Sequence, residues 1–155
     1  MSAEPEIISV PGHWEFSYEY SAGILGSEFF RRLRDEKRIS GLLCPGCERV
    51  LLPPRGFCDR CFVETPDWVD VGMSGVIEAF TINSDAFQGL PEPPYAIAYV
   101  ILEGASTAMV NFVKDVDLSD ISRGAELLAI GNRVQVVWED RRHGRITDFH
   151  YQLER

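Results

Sequence analysis

The sequence has few of the side chains that most enzymes use for covalent or acid–base catalysis. Only four cysteines and three histidines occur among 155 residues, and neither a Gly-rich phosphate loop nor a G-x-S-x-G motif is present. The histidines, His13, His143 and His150, lie in no recognisable catalytic constellation. We therefore expect a chain that is not catalytic on its own.

Long apolar runs and an excess of basic residues are also lacking. No run approaches the ~18 residues that a membrane span needs, and residues 1–6 have neither the basic nor the apolar region of a secretory signal. The formal net charge of −9 would repel a long polyanion. We expect a cytoplasmic protein that binds neither membranes nor nucleic acid.

Positive charge is nevertheless concentrated in one stretch. Residues 31–60 hold eight of the fifteen Lys and Arg residues against four acids, a balance of +4, whereas the rest of the chain carries −13. Such a patch could hold a small anionic ligand, or its arginines could form a solvated helix face. The sequence favours neither interpretation.

The four cysteines form two C-x-x-C pairs, Cys44 with Cys47 and Cys58 with Cys61, separated by ten residues. This spacing predicts one tetrahedral site, and four thiolates leave no open position for a substrate, so we expect structural Zn(II). Rubredoxin-type iron would use the same four ligands. Two disulfides are the less favoured alternative, because Pro45-Gly46 supplies the tight turn of a metal knuckle and a reducing cytosol is expected.

The pattern before the cysteines predicts an arm and an amphipathic helix over residues 1–40. Trp14, Phe16, Tyr18 and Tyr20 alternate with polar residues and so share one face of an extended segment, which could pack on the chain's own body or on a partner. Ser27 is the predicted N-cap of a helix over 28–37 that places Phe29, Phe30 and Leu33 on one stripe.

The remaining pattern predicts a zinc ribbon over 41–70 and an OB-fold over 71–155. Five strands are expected, at 74–82, 95–103, 107–113, 133–139 and 145–153, with room for a short helix in 117–131. Five strands with a helix after the third are typical of an OB-type barrel. The predicted fold is therefore mainly β: an N-terminal arm and helix, a rubredoxin-like zinc ribbon, and a five-stranded OB-fold barrel.

This order of elements resembles one known family. The resemblance is carried by Cys-Pro-x-Cys from Cys44, by Leu-Pro-Pro-Arg-Gly-Phe-Cys-x-x-Cys from Leu52, and by Gly-Val-Ile-Glu-Ala-Phe-Thr from Gly75. It covers about residues 20–153. The family is the zinc-ribbon plus OB-fold family of acyl-CoA-associated proteins, long catalogued as a domain of unknown function.

The resemblance implies a helper protein in a hetero-oligomer. The expected role is the non-catalytic accessory subunit of a two-component thiolase, with the CoA thioester of an aromatic acid as the expected substrate. An accessory subunit of an acyl-CoA hydratase or aldolase is the alternative. A single-stranded nucleic-acid-binding OB protein is a further alternative, because OB barrels and ribbons also serve that purpose.

The same hypothesis makes three arginines candidates for contacting CoA. If an acyl-CoA ligand binds at the partner interface, Arg49, Arg55 or Arg60 could meet its phosphates through charge-assisted hydrogen bonds. Arg55 is preferred, because Pro53-Pro54 would present it from a rigid turn. An internal salt bridge from Arg55 that ties the ribbon to the barrel is the alternative.

Overall fold

An extended arm precedes the folded body. The structure, a computed structural model, describes residues 7–13 and 15–154, and residues 7–22 of the arm have no regular secondary structure where described. Phe16, Tyr18 and Tyr20 form the expected row, with successive ring centroids 5.7 and 6.0 Å apart, and all three side chains are exposed. Trp14, the fourth member of the predicted row, lies outside the described residues.

The first helix begins at Gly23, five residues before its predicted start at residue 28. Helix α1 spans Gly23–Arg31 and continues as a π-helical turn over Arg32–Glu36. The prediction of Ser27 as N-cap is therefore wrong. The physical reason is a tertiary contact: the Leu25 side chain packs so closely on Gly56 of the cysteine loop that a Cβ there would come within 2.9 Å of it. Phe29 and Leu33 are buried, as the stripe predicts.

A small antiparallel sheet carries the cysteine loops. Its strands are β1 (Ser40–Leu43), β2 (Val50–Leu51) and β3 (Asp67–Asp70), in the order β2-β1-β3. Cys44 directly follows β1, so the sheet fixes where the first knuckle begins.

The second half of the chain is a closed five-stranded barrel, as predicted. The strands are β4 (Ser74–Asn83), β5 (Tyr95–Leu102), β6 (Met109–Val113), β7 (Arg133–Trp138) and β8 (Phe149–Leu153), in the order β4-β5-β6-β8-β7. Helix α2 (Ile121–Leu127) follows the third barrel strand, and only β6 and β8 pair in parallel. The mainly-β fold with an OB barrel is confirmed.

The last strand is shorter than expected. A 3₁₀ turn occupies Ile146–Asp148, and β8 begins at Phe149 rather than at residue 145. The buried Asp148 carboxylate causes this, because it accepts hydrogen bonds from the backbone N–H groups of His143, Gly144 and Arg145 at 2.9, 2.7 and 3.2 Å. These bonds hold the segment in a turn, so that it does not pair as a strand.

One loop of the barrel joins the two sheets. Thr107 Oγ1 accepts a hydrogen bond from Leu52 N (2.7 Å) and donates one to Leu52 O (2.6 Å), and Ser106 N donates to Val50 O (2.9 Å). The side chains of Val50 and Leu52 belong to the same apolar core as the barrel strands and α1. Among the described residues, none of the helices has the length and apolarity needed to cross a membrane.

Candidate metal centre and its surroundings

The fold brings the four cysteine sulfurs together. All four Sγ atoms lie within 4.8 Å of one another, and Cys47 Sγ is 3.7 Å from Cys58 Sγ. Sulfurs that bind one tetrahedral zinc at 2.3 Å stand about 3.8 Å apart, whereas a disulfide needs about 2.05 Å. All four thiols are free. The cluster could therefore hold one metal ion.

The two knuckles have the same backbone geometry. Cys44 N donates to Arg49 O and Glu48 N donates to Cys44 O, both at 2.9 Å. In the second knuckle, Cys58 N donates to Val63 O (2.9 Å) and Phe62 N to Cys58 O (3.0 Å). The equivalent residues Glu48 and Phe62 are left-handed, with φ of 57° and 55°. That conformation costs roughly 1–2 kcal/mol outside glycine, so its repetition indicates that each loop is shaped to direct two sulfurs at one point.

Gly46 makes the close approach of the two knuckles possible. A Cβ at this position would lie 3.1 Å from Cys61 Sγ and 3.2 Å from Cys61 Cβ. That spacing is tighter than ordinary van der Waals contact, and the Cys61 side chain would have to move away. The absence of a side chain at Gly46 therefore lets the Cys61 side chain approach the first knuckle without a shift.

The close spacing of the four sulfurs favours a bound cation. Backbone N–H groups of Cys61 and Arg60 point at the Cys58 sulfur and lower the pKa of that thiol to about 6. A hydrogen bond between the Cys61 thiol and Cys47, followed by burial and by repulsion from the neighbouring sulfurs, raises the pKa of Cys61 to about 12. Four thiolates share this space readily only around a cation, which reverses the repulsion.

The arginines of the basic stretch on α1 are largely used in ion pairs. Glu28 binds Arg31 and Arg32 at 2.9 and 2.8 Å, and these contacts lower the pKa of its carboxyl to about 2. The Arg32 guanidinium also lies 4.5 Å above the Trp68 ring. The helix arginines thus form a solvated, paired face.

The three arginines proposed to meet CoA lie in different environments. The half-buried Arg49 pairs with Asp59 at 3.0 Å and so ties the first knuckle to the second. Arg55 and Arg60 are exposed, and neither has an ion-pair partner among residues 7–13 and 15–154. The Arg55 backbone, not its side chain, is held, because its carbonyl accepts a hydrogen bond from Thr65 Oγ1.

An exposed apolar surface surrounds the second knuckle, and the sequence reasoning missed it. Phe57 and Phe62 meet edge to face with centroids 6.2 Å apart, yet their side chains are 51% and 74% exposed. Val63, which follows Phe62 in the chain, is also exposed. We call Phe57, Phe62 and Val63 the knuckle surface. Aromatic residues immediately flanking Cys58 and Cys61 were the available signal.

Comparisons with known proteins agree with this geometry. Residues 68–139 match the family model described as ChsH2, C-terminal OB-fold domain. The fold matches a chain of the Ltp2-ChsH2(DUF35) aldolase with a TM-score of 0.61 and 18% identity, over 83% of this chain and 93% of that one. It also matches a DUF35-family protein of unknown function from Sulfolobus solfataricus, with a TM-score of 0.62 and 18% identity, over 85% and 87% of the two chains. No curated protein sequence matches significantly. The family resemblance is confirmed over the barrel segment, residues 68–139; at this identity the two solved structures establish the fold alone.

Proposed function

We propose that this chain, whose barrel segment matches the family model of the ChsH2 C-terminal OB-fold domain, is a non-catalytic, zinc-containing accessory subunit of a thiolase-type acyl-CoA enzyme. The observation that carries the proposal is the knuckle surface. Its three apolar side chains are exposed on the second knuckle, whose backbone is fixed by hydrogen bonds at Cys58. Contiguous exposed apolar side chains on a rigid scaffold are typical of a protein–protein interface.

The metal in this proposal is structural zinc. Cys44, Cys47, Cys58 and Cys61 would fill a tetrahedral shell, so the ion would take no substrate and would activate no water. A thiolase needs a cysteine nucleophile, and every cysteine of this chain belongs to the cluster. The reacting thiolate would therefore come from the partner. The reducing cytoplasm is the matching location.

The acyl-CoA ligand would lie beside the second knuckle. Arg55 and Arg60 flank Phe57 in the sequence region that bears the knuckle surface, and both guanidinium groups are exposed. Exposed arginines at the rim of an interface suit the phosphates of a CoA thioester. The aromatic-acid thioester remains the expected substrate. Arg49 is a structural ion pair in this arrangement and supplies no CoA contact.

An aldolase-type partner is the second candidate. It is favoured by the fold match to a chain of the Ltp2-ChsH2(DUF35) aldolase, which is described as an assembly with Ltp2. Both candidates assign the chain the same part, a subunit that completes an acyl-CoA-handling enzyme without supplying the reacting group.

The test is capture of the zinc-loaded full chain from its native host, followed by identification and assay of the co-purifying protein. A stoichiometric partner that turns over acyl-CoA only in the presence of this chain is the expected result. A thiolase or an aldolase would decide between the two candidates. A chain that purifies alone, or a partner that is equally active without it, would overturn the proposal.

Two variants with matched controls locate the contacts. Phe62→Ser should weaken assembly with the partner, whereas Tyr99→Ser, which also replaces an exposed aromatic residue but on barrel strand β5, should not. Replacing Arg55 and Arg60 by alanine should raise KM for the acyl-CoA with little change in kcat. Arg141→Ala, at another exposed arginine without an ion pair among the described residues, is the control.

A further inference from the structure

A cavity lies at one end of the barrel, and the residues that line it are far from the cysteines in the sequence. Its volume is about 730 Å³, within the range of small-molecule sites. It opens between the β4–β5 loop, the end of β6 and the start of β8, and we call it the barrel-mouth pocket. In OB barrels the loops after the first and the fourth strand frame the ligand-binding face, and both contribute here. Its apolar wall is formed by Leu90, Pro91, Phe112, Val116 and Leu118.

Two titratable side chains in the wall of this pocket, Lys114 and His150, meet Glu139 behind it. Glu139 Oε1 accepts a hydrogen bond from Lys114 Nζ at 2.6 Å and lies 2.9 Å from His150 Nδ1. Lys114 and His150 both line the cavity. The Lys114 contact, followed by the His150 contact, lowers the pKa of the Glu139 carboxyl. The carboxylate therefore stays ionised at neutral pH and can only accept hydrogen bonds.

This arrangement fixes the imidazole of His150. Because the Glu139 carboxylate can only accept, Nδ1 carries a proton; in the neutral form of the ring, Nε2 is then an acceptor. Nε2 has no partner in the part of the chain that the structure describes. Every fully buried polar side-chain atom there does have one. Nε2 must therefore reach open space, although the side chain is only 10% exposed.

The charges around the pocket decide what it can hold. Glu92 and Asp115 line it together with Lys114, and Glu139 lies behind. Three carboxylates against one ammonium disfavour an anion, and the same acidity disfavours a nucleic-acid backbone. Beside the Phe112 wall, the polar groups open to a ligand include the acceptor His150 Nε2 and the spare N–H groups of Lys114. An uncharged hydroxyl satisfies both, since it donates to the first and accepts from the second.

The apolar wall of the pocket favours an aromatic ring in the rest of the ligand. Phe112 meets Tyr95 edge to face with centroids 5.9 Å apart, and Phe149 closes the inner end. Flat rings pack well against such surfaces. We propose that the barrel-mouth pocket binds an uncharged aromatic compound that carries a hydroxyl group, held by His150 Nε2 and Lys114 against the Phe112 wall. The site is separate from the knuckle surface and needs no partner subunit.

The experiment titrates three probes into the zinc-loaded full chain and follows backbone amides by NMR. The probes are p-cresol, 4-methylanisole, which lacks the O–H donor, and the anionic p-toluate. We expect p-cresol at millimolar concentration to shift the amides of Phe112, Lys114 and His150 and to bind more tightly than both other probes. Equal binding of all three, tighter binding of p-toluate, or no shift at these amides would overturn the proposal.

Variants test the two hydrogen bonds. His150→Leu should weaken p-cresol binding about fivefold, the effect of one lost hydrogen bond, and should leave 4-methylanisole unchanged. His143→Leu, at an exposed histidine outside the pocket, is the matched control. If His150→Leu does not fold, Lys114→Met replaces it, because the Lys114 side chain is half exposed. This variant should also bind p-cresol more weakly and leave the affinity for 4-methylanisole unchanged. An unchanged p-cresol affinity in the folded variant would contradict the assignment.

Discussion

The ribbon sheet and the barrel bury their interiors by different means. The ribbon has strands of four, two and four residues, and the buried cluster at its cysteine end consists of Cys44, Leu51 and Cys58. The barrel has strands of up to ten residues around an apolar core that contains Leu102, Met109 and Tyr151. Two of the three residues in the ribbon cluster are cysteines that could bind a metal. The barrel core is instead stabilised by the burial of apolar side chains.

This difference implies two sources of stability in one chain. A unit of about 30 residues buries too little apolar surface to fold by itself, and a metal usually supplies what is missing. The barrel needs no such help. The two regions are not independent, however, because Val50 and Leu52 of the ribbon pack into the barrel core. We therefore expect loss of the metal to unfold the knuckles while the base of the ribbon sheet stays attached.

Removal of a metal ligand should give the largest effect and separate the two regions most clearly. Cys58→Ser should abolish metal binding at the cysteine cluster, which in isolated zinc-finger peptides is worth on the order of 10–16 kcal/mol. Hydrogen exchange followed by mass spectrometry should then show loss of protection over residues 44–63, with protection retained at Ala98 and Val100 of β5. Zinc content measured on Glu64→Gln, an exposed position beside the second knuckle, is the control. Intact protection of the knuckles in a zinc-free protein would show that the metal is not what holds them.

A cavity in the barrel should produce the opposite pattern. Leu102 is fully buried in the barrel core, so Leu102→Ala should lower the free energy of unfolding by about 2–5 kcal/mol. Zinc content should stay at that of the wild-type protein. Urea denaturation measures the first quantity and metal analysis the second. Leu127→Ala, at a partly exposed leucine on α2, should cost much less; an equal cost at both positions would mean that the barrel core is not the main source of stability.

The junction between the regions should have an intermediate effect. Thr107→Val keeps the shape of the side chain but leaves Leu52 N and Leu52 O without their partner, which should lower the free energy of unfolding by about 1–3 kcal/mol. Thr81→Val makes the same replacement at an exposed position on β4 and should be nearly neutral. Thermal unfolding of both variants gives the comparison. Identical midpoints would show that the hydrogen bonds to Leu52 contribute nothing.

The parts of this fold that depend on local pattern were predictable. Two C-x-x-C pairs predict converging sulfurs, because each knuckle is set by a few neighbouring residues, such as Gly46 and the left-handed Glu48. Strand alternation predicted all five barrel strands, with errors mainly at the ends. The start of α1 was missed, because the contact between Leu25 and Gly56 joins segments about 30 residues apart.

The residues of the barrel-mouth pocket were even harder to predict from local sequence. Lys114, Glu139 and His150 come from different parts of the chain, and none of them lies in a recognisable motif. They meet because β8 pairs in parallel with β6 and antiparallel with β7, which places Val113 beside Tyr151 and Val137 beside His150. Register of this kind follows from barrel closure and not from local sequence. The prediction that His150 lies on a strand is confirmed. The sequence did not indicate that Glu139 and Lys114 lie beside it.

The smallest expected effect concerns the helix that lies against both regions. In the folded chain, contacts with Arg31 and Arg32 lower the pKa of Glu28 from 4.5 to about 2. A carboxyl with a lowered pKa stabilises the folded state fully above pH 4.5, and this contribution is lost as the pH falls from 4.5 towards 2. Glu28→Gln removes the titrating group. The variant should therefore be slightly less stable than the wild type at pH 7 and should lose less stability on acidification.

The measurement is the urea midpoint of both proteins at pH 7, 4.5 and 3. Acid also protonates the thiolates of the metal site, but it does so equally in both proteins, so the change in the difference between their midpoints isolates Glu28. Glu78→Gln, at an exposed glutamate on β4 that has no ion pair among the described residues, should track the wild type at every pH. If the wild-type and Glu28→Gln midpoints fall in parallel instead, the ion pairs of Glu28 do not couple to folding, and contacts such as those of the buried Phe29 and Leu33 hold the helix to the ribbon and the barrel.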